Sequence, residues 1–253
     1  MALVRCDFFS EVLEVGTSMT VLLPQASEDQ VGVTGTQRTG DFPVLYLLHG
    51  LSDDSTAWLR YTSIERYAAP LGLAVVLPQV QRSFYADEVH GERFFTFLAE
   101  ELPEVVRRFF RVSGEREDTF VAGLSMGGYG ALKWALHRPG HFAAAASLSG
   151  ALDLEAISQD EWRKPLIQRV FDGRIGPQDD LFALLEDADV ESLPSLYVGC
   201  GTEDHLYEHN VRFVDEATAA GVDVQVDFRA GEHEWGVWDA TIRDVLAWLP
   251  VRR

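Results

Sequence analysis

Short hydrophobic runs recur along this chain, and longer segments with a helical spacing of apolar residues separate them. Continuous apolar runs are typical of strands that are buried on both faces, as in a parallel sheet covered by helices. The runs lie at residues 44–48, 73–77, 119–122, 142–148 and 196–200, with helical patterns at 94–110, 129–137, 209–220 and 238–249. We therefore predict an α/β fold with a mostly parallel central sheet and helices on both faces.

The two ends of the chain extend the predicted sheet. Residues 3–9 and 19–23 predict two edge strands that form an antiparallel pair, and residues 222–228 alternate as a last strand. There is no internal repeat, low-complexity tract or linker-like segment in the sequence. We therefore predict a single domain over residues 1–253.

The alternation of strands and helices is interrupted at two places. Pro103 lies inside the 94–110 helix, where it predicts a kink or a new first turn. Residues 151–194 form a long, mostly helical stretch between two predicted strands. We predict that this insertion is a short helical cap over the C-terminal edge of the sheet. The alternative is a crossover helix with an irregular loop.

Composition and charge narrow the classes of function. The chain is 47% hydrophobic and 24% charged, as in an ordinary soluble globular protein. Its formal net charge of −19 disfavours nucleic acids and anionic membranes as partners, because both would repel it. The N-terminal residues lack the pattern of a signal peptide, and no apolar stretch is long enough to span a membrane. We expect a cytoplasmic protein that acts on a small molecule, and a homo-oligomer is compatible with these features.

The residues Gly123-Leu124-Ser125-Met126-Gly127 lie between a predicted strand and a predicted helix. This is the G-x-S-x-G pattern of a nucleophile elbow, in which glycines allow neighbouring backbone to approach a sharply turned serine. The following helix would point its free N–H groups at the hydroxyl and favour negative charge there. The bare pattern also arises by chance, so its strand–turn–helix context gives it weight. The alternative is a structural turn with an ordinary surface serine.

A nucleophilic serine needs a base, and the base needs a carboxylate that orients it. After a nucleophile elbow, the acid and then the histidine follow the serine along the chain. Glu203 and Asp204 come directly after the 196–200 strand, and His233 follows the last predicted strand. We predict that Ser125, Asp204 and His233 form a catalytic triad, with Asp204 favoured over Glu203 by its position.

Acyl transfer also requires N–H donors for the oxyanion that forms on the carbonyl. Met126 follows the nucleophile and should supply one donor, and Leu51, in the loop after the 44–48 strand, should supply the other. Some aromatic and apolar side chains are candidates for the wall of a substrate pocket, although each could equally pack in the core. These candidates are Phe84, Tyr85, Trp162, Leu206 and Trp235.

The remaining histidines and the two cysteines do not form a recognisable catalytic or metal-binding motif. His205 and His209 are four residues apart, but they lack the glutamate and the third ligand of a zinc motif, so we expect solvated histidines. His49 comes too early in the chain to be the base, although it could line the site. Neither cysteine has a C-x-x-C partner. We predict no metal and no cofactor.

Several segments together give the chain a family resemblance. It resembles the esterase D-like branch of the α/β hydrolases, which also holds S-formylglutathione hydrolases, mycolyltransferases and feruloyl esterases, and it looks most similar to bacterial tributyrin esterases. The matching segments are residues 47–52, 58, 99–103, 116–120, 122–129, 201–204, 206–208 and 231–235.

The resemblance implies a serine carboxylesterase of short-chain acyl esters, with the triad and oxyanion donors predicted above. The sequence departs from S-formylglutathione hydrolases in two places: Leu124 stands where they carry histidine, and Ser52-Asp53 where they carry cysteine after the oxyanion glycine. Both departures lower the expectation of a thioesterase. A thioesterase of that kind and a feruloyl or acetyl-xylan esterase remain alternatives, as does a non-enzymatic binding module on the same scaffold.

Overall fold

One eight-stranded sheet organises the structure, a computed structural model that describes residues 1–27, 29, 31–36 and 38–252. Five of the strands are completely or almost completely buried, as their continuous apolar runs predict. The strands are β1 (Ala2–Ser10), β2 (Val15–Leu23), β3 (Val44–Leu48), β4 (Ala74–Pro78), β5 (Thr119–Leu124), β6 (Ala144–Leu148), β7 (Ser195–Gly201) and β8 (Val224–Arg229). Their order across the sheet is β1-β2-β4-β3-β5-β6-β7-β8.

Strands β3 to β8 pair in parallel, and β1 and β2 extend the sheet in antiparallel register. The predicted antiparallel pair is therefore confirmed. The prediction that both strands are edge strands is wrong for β2, which pairs with β1 on one side and β4 on the other. Its residues Met19 and Leu22 are fully buried because helices and neighbouring strands cover them.

Helices cover both faces of the sheet and enclose two hydrophobic cores. One core lies under α4, α5, α8 and α9, and the other lies under α1, α2 and α10. Among the residues that the structure describes, none of the helices combines the length and apolar character needed to cross a bilayer. The helices are α1 (Ala57–Tyr61), α2 (Ile64–Ala68), α3 (Phe94–Thr96), α4 (Leu102–Phe109), α5 (Met126–His137), α6 (Leu154–Ser158), α7 (Lys164–Phe171), α8 (Leu181–Glu186), α9 (Tyr207–Ala219) and α10 (Trp235–Trp248).

The helix that contains Pro103 is not bent at a simple kink. A π-helical turn, Phe97–Glu101, separates α3 from α4, and Pro103 occupies the first turn of α4. Proline is tolerated there because a first-turn N–H has no intrahelical acceptor. The sequence predicted a new first turn as one of two outcomes, and the structure has that one.

Helix α5 is held in place by a buried ion pair that joins it to two other segments. The Lys133 ammonium, fully enclosed, donates to Asp179 Oδ1 at 2.5 Å and to the carbonyl oxygen of Tyr85 at 3.1 Å. The Tyr129 hydroxyl donates to the carbonyl oxygen of Asp179 at 2.7 Å. Burial lowers the pKa of Lys133, and the Asp179 carboxylate opposes that effect. The helix after the elbow is therefore tied to both the loop after β4 and the segment that precedes α8.

Candidate active site

The elbow between β5 and α5 holds Ser125 in a strained backbone conformation. Its φ of 53° and ψ of −117° lie outside the regions that side-chain-bearing residues normally occupy. The strain is maintained by hydrogen bonds on both sides: the Ser125 N–H donates to Leu148 O at 2.9 Å, and the Ala151 N–H donates to Ser125 O at 3.0 Å. The side chain consequently projects from the carboxyl end of β5, in front of the first turn of α5.

The two elbow glycines are required by close packing. A Cβ atom on Gly123 would lie 2.3 Å from the carbonyl oxygen of Gly127 and 2.8 Å from Leu48 Cβ, and one on Gly127 would lie 2.5 Å from Leu48 O. These are backbone or near-backbone atoms, which cannot move aside without shifting the strands. We expect Gly123→Ala to lower the free energy of unfolding by about 3 kcal/mol or more, measured by urea denaturation.

Gly140 provides a matched control for that substitution. It is exposed, and a Cβ atom there would meet no heavy atom within 4 Å. We expect Gly140→Ala to change the free energy of unfolding by less than about 0.5 kcal/mol. A Gly123→Ala protein as stable as the control would show that the close approach of β5 and α5 is not rigid.

Three side chains from three strand ends form a hydrogen-bonded series. His233 Nδ1 lies 2.8 Å from Asp204 Oδ2, and His233 Nε2 lies 3.1 Å from Ser125 Oγ. An ionised Asp204 can only accept, so Nδ1 carries the proton and Nε2 is left to accept the hydroxyl proton of Ser125. The imidazole side chain is 22% exposed, whereas the Asp204 side chain is completely buried. This arrangement can take a proton from Ser125 while keeping the imidazole in one tautomer.

The environment of Asp204 favours its ionised form. Burial acts to raise the pKa of this carboxyl, but hydrogen bonds from His233 and from the Leu206 amide outweigh it, so that the net pKa lies below its usual value. Asp204 is therefore a carboxylate throughout the neutral range.

Glu203, the alternative acid in the sequence, has a different place in the structure. It is exposed, and its Oε2 accepts a hydrogen bond from the Gly231 amide. The Glu203 amide in turn donates to Gly231 O at 3.0 Å. Glu203 thus joins the loop that carries Asp204 to the loop that carries His233, and it does not contact the imidazole through a hydrogen bond.

The loop after β3 brings Leu51 to the same cavity as Ser125. Leu51 and Met126 both line the cavity around Ser125. Within the described ranges no acceptor is found for the Leu51 N–H, and the Met126 N–H belongs to the first residue of α5, where intrahelical acceptors are lacking. Both amides therefore remain candidates for the two oxyanion donors predicted from the sequence.

His49 fixes the shape of this loop and does not line the cavity. Its Nε2 accepts from the Val80 amide at 3.2 Å, so Nδ1 carries the proton and donates to Gly50 O at 2.7 Å. Burial lowers the pKa of His49, which keeps the imidazole neutral and this pattern intact. The prediction that His49 is not the base is consistent with these contacts, whereas its suggested place in the site is not.

A cavity with a volume of about 810 Å³ opens at Ser125. Its lining comes from the loops after β3 and β4, from residues in and after α6, and from the segments before and at the starts of α9 and α10. The lining includes Phe84, Leu206 and Trp235 together with Ala151, Ile157, Arg82, Arg163, His205, His209 and Trp238.

Comparison with known proteins places this site in a family. The model of the Esterase family matches residues 10–249. The chain belongs to the Esterase family. An acetyl esterase from Caldicellulosiruptor saccharolyticus is 31% identical to it over 262 residues, which cover 98% of this chain and 98% of that protein.

Two solved structures from Staphylococcus aureus resemble the esterase over nearly its whole length. Fluorophosphonate-binding serine hydrolase F, with substrate bound, has 34% identity and a TM-score of 0.88, and the match covers 98% of each chain. S-formylglutathione hydrolase, as apoenzyme, has 33% identity and a TM-score of 0.85, again over 98% of each chain. The predicted α/β-hydrolase fold is therefore confirmed, and the protein is a serine hydrolase of carboxylic esters.

Two of the five pocket residues predicted from the sequence do not line the cavity of the esterase. Tyr85 is completely buried beneath it, where its hydroxyl donates to His49 O at 2.9 Å and its ring packs on Gly130. Trp162 is 90% exposed, because the turn before α7 points it at solvent while Asp160 and Arg163 face the cavity. Aromatic character alone does not tell a pocket wall from a core or a surface turn.

His205, which the sequence predicted to be a solvated histidine, is 65% exposed at its side chain and lies beside the Asp204–His233 pair of the esterase. Its ring packs edge-to-face on His233 with ring centroids 4.6 Å apart. Ligand atoms of Asp204, His205 and His233 all lie within 4.8 Å of one another, so these three could in principle hold a metal ion. Two of the three are already engaged in the hydrogen-bonded series with Ser125, and that use of the site competes with metal binding.

Proposed function

We propose that this esterase hydrolyses short-chain acyl esters through an acyl-enzyme intermediate on Ser125. The observation that carries the proposal is the unbroken hydrogen-bonded series from Asp204 through His233 to Ser125 Oγ, with distances of 2.8 and 3.1 Å. In this proposal Ser125 is the nucleophile, His233 the general base and then acid, and Asp204 the residue that orients the imidazole.

The reaction proceeds in two steps, acylation of Ser125 and hydrolysis of the acyl-enzyme. His233 Nε2 takes the hydroxyl proton as Ser125 Oγ attacks the ester carbonyl, and the amides of Leu51 and Met126 stabilise the oxyanion. The tetrahedral intermediate collapses, the C–O bond to the alcohol breaks, and His233 gives its proton to the departing oxygen. Water, deprotonated by His233 Nε2, then attacks the acyl carbonyl; the bond from the acyl carbon to Ser125 Oγ breaks, His233 returns the proton to Ser125 Oγ, and the carboxylic acid leaves.

The wall of the cavity supports a preference for a small apolar acyl group. Phe84 and Leu206, both buried, face the space in front of Ser125, and Trp235 stands at its rim. The similarity to an acetyl esterase favours the same preference. We propose that residues 151–194 act as a cap, because Ala156 and Ile157 close one side of this space. Esters of acetate and butyrate, including tributyrin, are then the substrates of choice.

A fluorophosphonate probe followed by mass spectrometry tests the nucleophile directly. We expect one labelled peptide, the one containing Ser125, because only a serine activated by a base attacks the probe rapidly. Ser195→Ala is the matched control, since Ser195 is exposed at the amino end of β7, away from the cavity. It should label like the wild-type enzyme, whereas Ser125→Ala should not label. An unlabelled wild-type Ser125 would refute the proposal and favour a non-enzymatic binding module.

A substrate panel separates the proposed activity from its relatives. The rates for p-nitrophenyl acetate and butyrate should exceed those for p-nitrophenyl octanoate, S-formylglutathione and methyl ferulate. A higher kcat/KM for S-formylglutathione would favour a thioesterase, in line with the similarity to the Staphylococcus aureus enzyme. A higher value for methyl ferulate would favour an aromatic-acid esterase.

A further inference from the structure

Strand β1 forms one edge of the sheet, and among the described residues it pairs with β2 alone. All nine residues from Ala2 to Ser10 keep one unbroken register with β2, without a bulge. The strand contains neither proline nor glycine, and its only charged side chains are Arg5 and Asp7. An edge strand of this length and regularity presents a row of backbone N–H and C=O groups to which a further strand can bind.

The residues of β1 alternate between solvent and the core. Leu3 and Phe9 are 58% and 59% exposed, and the Arg5 and Asp7 side chains between them are 70% and 65% exposed. The alternate positions are half-buried and pack against the core on the other face: Val4, Cys6 and Phe8. One face of this open edge therefore carries two large apolar side chains with a cation and an anion between them.

This pattern is complementary to itself in one antiparallel register. Cys6 is the midpoint of β1, so a second copy with its Cys6 opposite Cys6 of the first pairs the full length of both strands. In that register Leu3 lies opposite Phe9 of the second copy, and Arg5 lies opposite its Asp7. Two-fold symmetry makes each of these pairs occur twice. Cross-strand apolar–aromatic pairs and pairs of opposite charge both stabilise a sheet.

The other edge of the sheet does not offer such a register. In β8, Asp227 and Arg229 of two copies would face each other only in a pairing centred on Phe228, one residue from the end of the strand. Most of β8 would then stay unpaired. Arg229 is also engaged within its own chain, where it donates to Asp244 Oδ2 at 2.8 Å. Self-pairing is therefore favoured at β1 and not at β8.

We propose that two copies of this chain associate through their β1 strands, antiparallel and centred on Cys6, so that the two eight-stranded sheets become one. The association buries Leu3 and Phe9 and provides hydrogen-bond partners for the open backbone edge. The net charge of −19 on each chain opposes it. The two charges of β1 itself cancel, however, and physiological salt screens charges that are more than about 8 Å apart.

The position of β1 keeps the proposed interface apart from catalysis. Strands β2, β4 and β3 lie between β1 and β5, the strand that ends at the Ser125 elbow. We therefore expect substitutions on the exposed face of β1 to change the oligomeric state and to leave kcat for p-nitrophenyl acetate unchanged. An unchanged kcat and thermal unfolding midpoint then show that a variant is folded.

Two charge reversals test the register. Arg5→Asp places two aspartates opposite each other at both symmetry-related positions, and Asp7→Arg places two arginines there. We expect each to raise the dimer dissociation constant by about tenfold or more, measured by sedimentation velocity on dilutions from about 100 µM. The first makes the chain more negative and the second less negative, so an effect of net charge alone would have opposite signs in the two variants.

An equimolar mixture of the two variants is the sharper measurement. In a mixed dimer the two carboxylates of one strand face the two guanidinium groups of the other, so every charged pair is again of opposite sign. The dissociation constant should then return close to the wild-type value. Asp215→Arg, at an exposed position of α9, is the matched control, because it makes the same change of charge as Asp7→Arg away from β1. It should dimerise like the wild-type protein.

Weakening by both single reversals and recovery in the mixture support the interface. A wild-type protein that is monomeric at about 100 µM overturns it, and leaves the β1 edge to an extended segment of another protein. A dimer that either reversal leaves as stable as the control, or a mixture that stays dissociated, overturns it as well. None of these outcomes bears on the labelling of Ser125, so the proposed function is tested separately.

Discussion

Replacing Ser125 with alanine should reduce kcat by about 10⁵-fold or more, since it removes the only atom that forms the acyl-enzyme. The residual rate would come from substrate binding and from the oxyanion donors, which the substitution leaves in place. Alanine keeps the Cβ atom, and the hydrogen bonds that enforce the φ of 53° involve only the backbone of this residue. The elbow should therefore stay folded, with a thermal unfolding midpoint close to that of the wild-type enzyme.

Hydrolysis of p-nitrophenyl butyrate under saturating conditions measures this effect. Ser195→Ala controls for the loss of a serine elsewhere, and its kcat should match the wild-type value. A Ser125→Ala enzyme that retained more than about a hundredth of wild-type kcat would contradict an acyl-enzyme on this residue. A variant that lost both its activity and its cooperative unfolding would be misfolded. Thermal unfolding followed by circular dichroism distinguishes that outcome from the loss of the nucleophile.

Replacing Asp204 with asparagine should lower kcat by about 10⁴-fold, the second-largest effect that we expect. The asparagine amide can turn its NH₂ group towards His233 Nδ1, which would move the imidazole proton to Nε2. The Ser125 hydroxyl, 3.1 Å away, would then face a donor in place of an acceptor. The shape of the site would change little, so KM should be nearly unaffected.

Glu203→Gln is the matched control, because it makes the same chemical change one residue earlier. Glu203 accepts a hydrogen bond from the Gly231 amide, and a glutamine oxygen can accept it too. We expect less than about a tenfold change in kcat, as for a charged hydrogen bond replaced by a neutral one. If Glu203→Gln proved the more damaging substitution, the acid would have to be reassigned to Glu203.

Most of the sheet was predictable, because its buried strands appear in the sequence as continuous apolar runs. The runs at 44–48, 119–122 and 196–200 are apolar on both faces, and a helical segment follows each of them. The antiparallel end of the sheet was harder to predict, because the local sequence of β2 is typical of an edge strand. Only its pairing with β4 shows that it is an interior strand.

The candidate site was predictable as far as it depends on chain order. Ser125, Asp204 and His233 each follow a strand, and parallel strands bring their carboxyl ends to one edge of a sheet. The pocket was less predictable, because whether an aromatic ring lines a cavity depends on the path of distant segments. Tyr85 and Trp162 have the residue types of a pocket wall, yet one is buried below the cavity and the other faces solvent.

By itself, the order of apolar runs and of the reactive residues after them determined the fold class and the identity of the serine, acid and histidine candidates. These are local patterns with a fixed geometric consequence. The tertiary structure alone decided the hydrogen bonds of Glu203, the neutral structural role of His49, and the contacts of the Trp238 indole with Ser149 and His233. Each of those features depends on which side chains come into contact when residues far apart in the chain pack together. The spacing of residues along the sequence does not determine these contacts.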